Sequence, residues 1–158
     1  MLDAMVRALA CFAITVATVA AFALTASGSP TARCQPTVSD AAGPFQQSGV
    51  NAPLRAKIGT GHVLQGRVVA PDCAPIARAL VVFWQAGPNG YRSNGRGSIR
   101  TDRAGRFRIE GPVPASYGGQ PHIHIAVFHG EYEELLSRYV VRRGAKTGRL
   151  RLVLTPLL

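Results

Sequence analysis

His122-Ile123-His124-Ile125-Ala126-Val127-Phe128 alternates imidazole with isoleucine and then runs apolar. In an extended chain, residues i and i+2 share a face. Read as a strand, the stretch sets His122 and His124 side by side and turns Ile123 and Ile125 to the other face. The same texture recurs on both sides of it. His62–Ala70 (HVLQGRVVA) and Arg78–Ala86 (RALVVFWQA) are β-branched and apolar, and Pro71-Asp72-Cys73-Ala74-Pro75 between them blocks helix. Arg106–Glu110 (RFRIE) alternates strictly, with Phe107 and Ile109 inward and the charges outward. Leu135–Val141 and Arg149–Leu154 are further strand candidates, and a short helix is expected around Glu131–Ser137. Turn signals stand at Gly87-Pro88-Asn89-Gly90, Asp102-Arg103-Ala104-Gly105, Gly118-Gly119 and Arg143-Gly144. Strands at this spacing predict an all-β fold, an antiparallel β-sandwich. No internal repeat is present.

Composition agrees with one such domain. The chain has 158 residues and a formal net charge of +10, and domains cluster at roughly 100–150 residues. Charged residues make up 16% and hydrophobic ones 47%, which excludes a disordered polyelectrolyte. Three cysteines exclude a disulfide-dense miniprotein. The run from Ala8 to Ala26 carries no charge, follows Arg7 and ends in small residues. It reads as a secretory signal over residues 1–28, cleaved after Gly28, with an uncleaved membrane anchor as the rival reading. Residues 29–60 read as an irregular arm, and residues 61–158 as the sandwich. The folded part is thus expected outside the cytoplasm, secreted or in the cell envelope. Export leaves Cys34 and Cys73 as an even pair in an oxidising compartment, where a disulfide is expected. Trimming takes one acid, Asp3, and one base, Arg7, so the charge of +10 stays. Nucleic acid is not an expected partner, because export removes the chain from it and no basic-aromatic stacking array is present. Envelope or membrane association stays open. Leu150–Leu158 either closes the sandwich or dimerises it, so oligomeric state stays open as well.

Two imidazoles on one strand face are half of a metal site, or else a hydrogen-bonded pair. No carboxylate lies close to them in sequence, so tyrosines are the available further donors. Tyr117 precedes His122 across Gly118-Gly119, and Tyr91 follows the turn after the Trp84 strand. A tyrosine ligates well only as phenolate, with a free pKa of about 10, and a hard trivalent cation such as Fe(III) holds it deprotonated. Taken bare, both tyrosines also read as aromatics flanking turns. His62 and His129 are isolated and read as structural, Trp84 as core, and Asp102 as a turn residue. Arg142-Arg143 and Lys146–Arg151 read as a solvated basic edge.

One ordered set of motifs goes further. Leu64–Gly66–Val68, Cys73-Ala74-Pro75-Ile76, Trp84-Gln85-Ala86, Gly90-Tyr91, Arg100-Thr101-Asp102, Gly105-Arg106-Phe107, Pro114–Tyr117 and Pro121-His122-Ile123-His124 resemble the intradiol ring-cleavage dioxygenases. The likeness is to the protocatechuate and catechol dioxygenases, and above all to small secreted single-domain members. It covers roughly residues 34–140. It implies a nonhaem Fe(III) held by Tyr91, Tyr117, His122 and His124. Tyr91 would stay bound, and Tyr117 would be displaced by substrate. It further implies an enzyme that uses O2 to open a catechol-type ring between its two hydroxyl-bearing carbons. The displaced phenolate and hydroxide would accept the catechol's protons. Family members commonly carry an arginine just before the proline of the His-x-His segment, where it helps to stabilise charge on the activated substrate. Gln120 occupies that place here, with one residue fewer in the alignment. Gln120 is therefore, with Tyr117, an expected catalytic position, but it brings no positive charge. Arg92, Arg96 and Arg100 are nearby cations in the sequence. The alternative function is a non-catalytic sandwich of the same fold that binds metal or polyphenol, or an envelope interaction module.

Overall fold

A computed structural model describes residues 33–41, 52–116 and 119–158. The expected leader over residues 1–28 and Tyr117 lie outside the described residues. Among the described residues seven strands follow in order: β1 (His62–Val69), β2 (Leu80–Gly87), β3 (Gly90–Arg100), β4 (Arg106–Gly111), β5 (His122–His129), β6 (Tyr132–Val140) and β7 (Thr147–Val153). They form a three-stranded sheet, β4-β1-β7, and a four-stranded sheet, β3-β2-β5-β6. All pairings are antiparallel except β1 with β7, which run parallel. The all-β sandwich expected from the alternation is the fold observed.

The inner faces meet in one apolar core. Leu64 and Val68 of β1, Phe107 and Ile109 of β4, and Leu152 of β7 face Val81 and Phe83 of β2 and Ile123, Ile125 and Val127 of β5. Phe107 and Ile109 are buried, and Arg106 and Arg108 between and beside them are exposed. Leu152 and Leu154 are fully buried, so the C-terminal strand closes the sandwich. Strand β2 is buried on both sides, because Val82 and Trp84 form a second cluster with Ala126 on the outer face of their sheet. That double burial explains its nearly continuous apolar reading.

Two segments differ from the sequence expectation. The expected helix over Glu131–Ser137 is absent: Glu131 lies in the turn and Tyr132–Ser137 belong to β6. One or two helical turns are marginal by themselves, whereas the strand pairs along the open side of β5 and buries Leu135. Residues 90–100, for which the sequence carries no strand signal and whose first residue belongs to the expected turn at Gly87–Gly90, also form a strand. Pairing with β2 overrides this low propensity. Gly97 is required, since a Cβ there would run into the Arg55 carbonyl oxygen and the Phe83 ring. The arm passes at that point: Leu54 bridges to Ser98, and Arg55 donates from Nε to the Arg96 carbonyl at 3.1 Å.

Cys34 and Cys73 form a disulfide with Cα atoms 5.2 Å apart. It joins the arm to the turn after β1 and covers Val69 and Val153. In the turn before β4, one Asp102 oxygen accepts from the amides of Ala104 (2.9 Å) and Arg106 (2.8 Å), and the other from Arg106 Nε (2.9 Å). The Arg106 amide is the main reason the Asp102 carboxyl titrates below its ordinary value of 3.8. Such a depressed carboxylate stabilises the fold above its unfolded pKa and stops doing so as pH falls through the folded one. Thermal unfolding of Asp102→Asn is therefore expected to lose part of the wild type's decline below pH 3.8. Superimposable acid profiles would show that the turn does not depend on the charge.

Candidate metal centre

The centre is built on the outer face of the four-stranded sheet. Strand alternation sends Ile123 and Ile125 into the core, so His122 and His124 project to the opposite side. Tyr91 enters the same face from the start of β3, opposite Ala86. Three of the four side chains that the sequence singled out converge, and the fourth, Tyr117, lies outside the described residues. Tyr91 Oη lies 2.9 Å from His124 Nε2 and 3.3 Å from His122 Nε2, and the two Nε2 atoms are 2.9 Å apart.

Protons restrict what this triangle can be. His122 Nδ1 is 2.7 Å from the Gln120 carbonyl oxygen, which can only accept. Nδ1 therefore carries the hydrogen, and in the neutral ring Nε2 presents its lone pair to the other two atoms. Burial is the main cause that pulls His124 down to about 4, helped by His122 and Arg138. His124 is thus neutral at neutral pH. Few protons are left to serve three short contacts, and a cation shared by the three atoms satisfies them together. Two ligands about 2.1 Å from one cation at a right angle stand about 3 Å apart, the spacing seen here. The donor set of one phenol and two imidazoles suits a ferric ion, whose charge favours phenolate. No group of three His, Cys, Asp or Glu side chains that could hold a cation occurs among the described residues, and the phenol is the further oxygen donor that stands beside the two imidazoles.

The surroundings hold the two imidazoles in place. Trp84 stacks on His124, with centroids 5.0 Å apart and planes 9° from parallel. It is 7% exposed, so it belongs to the core and supports this imidazole at once. Gln120 contributes its carbonyl to His122, and its side chain is exposed. A hydrogen bond of this kind to the far nitrogen orients a ligating imidazole. His62 lies elsewhere, buried beside Tyr139, and His129 packs on Tyr132.

Of the cations that sequence proximity suggests, Arg96 stands in register with the centre, whereas Arg92 and Arg100 do not. Cross-strand register gives one row, Arg96–Trp84–His124–Arg138. Directly opposed residues share a face, with Cβ atoms about 5 Å apart. Arg138 is the residue that the sequence reading missed. Its Nε donates to Asp40 of the arm at 2.8 Å. Asp40 is held in turn by its own amide on the Leu136 carbonyl at 2.9 Å. Arg100 pairs with Leu80 at the far end of β2, and Arg92 is exposed near the turn.

Known proteins place this fold. The family model Dioxygenase_C, described as Dioxygenase, matches residues 35–130. Catechol 1,2-dioxygenase 2 of Acinetobacter lwoffii is 38% identical over 68 residues, covering 37% of this chain and 25% of that relative. The chain thus spans about a quarter of the length of the curated relatives it matches. Among solved structures, 3-chlorocatechol 1,2-dioxygenase from Rhodococcus opacus 1CP superposes with a TM-score of 0.65 at 22% identity, over 77% of this chain and 73% of that one. Hydroxyquinol 1,2-dioxygenase from Pseudomonas putida DLL-E4 does so at 0.63 and 19%, over 82% and 68%. Motif order, sandwich topology and the matched span agree: the chain belongs to the intradiol ring-cleavage dioxygenase family.

Proposed function

We propose that this protein is an exported nonhaem Fe(III) dioxygenase that cleaves a catechol-type ring between its two hydroxyl-bearing carbons with O2. The observation that carries the reading is the convergence of Tyr91 Oη, His122 Nε2 and His124 Nε2 within 2.9–3.3 Å on one sheet face. Tyr91, His122 and His124 would hold the metal, and Tyr117 joins them through its sequence match alone. A bound ferric ion supplies the Lewis acidity that activates a chelated catecholate toward O2.

The chain's own residues do the rest. The Gln120 carbonyl fixes the His122 tautomer, and the Trp84 ring keeps His124 in plane. Tyr117 would be a further phenolate donor to the metal, and as a free phenolate it would be a base for a catechol proton. Arg138 supplies, from the neighbouring strand, the positive charge that Gln120 does not bring. Export is part of the proposal. It is supported by the uncharged Ala8–Ala26 run and by a disulfide of the kind that persists in oxidising compartments.

The test is spectral and then kinetic. Ferric loading of the purified protein is expected to give a visible phenolate-to-iron band that shifts in Tyr91→Phe, and catechol is expected to start O2 uptake. A colourless loaded protein sinks the ligand assignment. A coloured one that consumes no O2 with any catechol leaves the non-catalytic alternative. Arg138→Gln is expected to weaken anaerobic catechol binding by about two- to fivefold, in keeping with a half-exposed charge. Arg138→Lys should restore most of it, and equal affinity in all three proteins would remove Arg138 from the site.

A further inference from the structure

The opposite side of the sandwich carries a second array. On the outer face of β4-β1-β7, antiparallel and parallel register combine into two rows. One is Arg106–Arg67–Arg151, and the other is Arg108–Gln65–Arg149. All six side chains are exposed. Neighbouring strands lie about 4.8 Å apart, and same-face residues along a strand about 6.7 Å apart. Five guanidinium groups are thus held on a short flat lattice. The face is bounded at one end by the cluster of Val69, Val153 and the disulfide.

Local carboxylates satisfy only part of this charge. Arg106 pairs with Asp102 at 2.9 Å, and Arg108 with Glu110 at 3.3 Å. Glu110 also meets Lys57 at 3.0 Å. Arg67 donates to the Ala104 carbonyl at 3.0 Å, and Arg151 touches Cys34 Sγ at 3.9 Å. Among the described residues, Arg67, Arg149 and Arg151 make no ion pair. Like charges so close in register repel one another. A face of this composition gains from a polyanion laid across it.

We infer that this arginine face binds an acidic polysaccharide, a chain of uronate-bearing sugars. Arginine forks bind carboxylates in bidentate fashion. Gln65 stands between Arg108 and Arg149 in its row, and Thr147 is exposed at the start of β7. Their amide and hydroxyl suit the sugar hydroxyls that lie between the charges. Among the described residues, the face shows no aromatic ring for base stacking and no large apolar side chain for insertion into a bilayer. It is also turned away from the metal centre, so a bound polymer leaves that site open and anchors the protein with the site facing outward. None of this depends on the proposed reaction.

The test uses polygalacturonate as the probe, with dextran as the neutral control. The wild type is expected to bind polygalacturonate at low salt, with affinity falling steeply as salt rises through counterion release. It is expected to leave dextran unbound. Arg67→Gln, Arg149→Gln and Arg151→Gln together should weaken binding at least tenfold. The same charge loss at exposed positions elsewhere, Arg78→Gln, Arg92→Gln and Arg142→Gln, should weaken it less than threefold. Equal losses in the two triple variants would overturn the proposal, because attraction would then follow net charge alone. Tighter binding of polyphosphate or of anionic lipid vesicles than of polygalacturonate would overturn the choice of ligand. Phenylglyoxal labelling gives the same answer without substitutions. Bound polymer should protect Arg67, Arg149 and Arg151 and leave Arg78 and Arg142 reactive, and uniform protection would again sink it.

Discussion

His124→Ala is expected to remove the ferric visible band and to lower iron affinity and ring cleavage by more than about a hundredfold. The argument is geometric. His124 Nε2 forms two of the three short edges of the donor triangle, 2.9 Å from Tyr91 Oη and 2.9 Å from His122 Nε2. Without it, two donors remain in the described part of the site. The substitution also strips the Trp84 ring of its stacking partner, so loss of the band has to be separated from loss of fold. Far-ultraviolet circular dichroism and the unfolding transition make that separation. A folded His124→Ala protein that still colours with Fe(III) and turns over catechol would mean that the metal sits elsewhere. Gln120→Ala is the matched control. The residue acts through its carbonyl, which alanine keeps, so the band should persist in that variant. Gln120→Pro keeps the carbonyl too but restrains the backbone, so comparing it with Gln120→Ala isolates backbone placement.

Much of this site is legible in sequence because its geometry is local. His122 and His124 need only the two-residue period of a strand to share a face, and that period holds. Tyr91 is harder. Nothing within Gly90–Arg100 announces a strand, and its approach to the imidazoles depends on β3 pairing with β2 and β2 with β5. The motif order of the family supplies that contact where propensity does not. Arg138 shows how one local misreading hides a distant contact. With Glu131–Ser137 taken as helix, residue 138 has no defined partner. Taken as a strand returning from the turn at Gly130-Glu131, it falls directly opposite His124. The parallel placement of β7 beside β1 was not legible at all, because register between chain ends is set by the packed core and not by either strand. The arginine rows on that face are invisible in sequence for the same reason. Lys146–Arg151 reads as a solvated edge until Arg67 and Arg106 stand beside it.

Removing the disulfide should cost stability and spare the centre. The bridge closes 39 residues of sequence separation, and a loop of that length is worth about 4 kcal/mol in the chain-entropy account. That is a large part of the 5–15 kcal/mol typical of a domain, about a quarter or more. Cys34→Ala with Cys73→Ala is therefore expected to unfold at a much lower urea concentration than the oxidised wild type. The arm has independent attachments. Thr37 exchanges hydrogen bonds with Val153 through its amide (3.0 Å) and Oγ1 (2.9 Å). Leu136 donates to Ser39 Oγ at 3.1 Å, and Asp40 donates to the Leu136 carbonyl at 2.9 Å. These bonds keep Asp40 beside Arg138 in whatever fraction remains folded. The double variant should thus show the wild-type ferric band and anaerobic catechol affinity below its unfolding transition. Coincident urea midpoints would show that the bridge does not restrain the unfolded chain. A shifted band, or weaker catechol binding with the midpoint unchanged, would mean that the disulfide acts on the native state by positioning the arm, and that Asp40 depends on it.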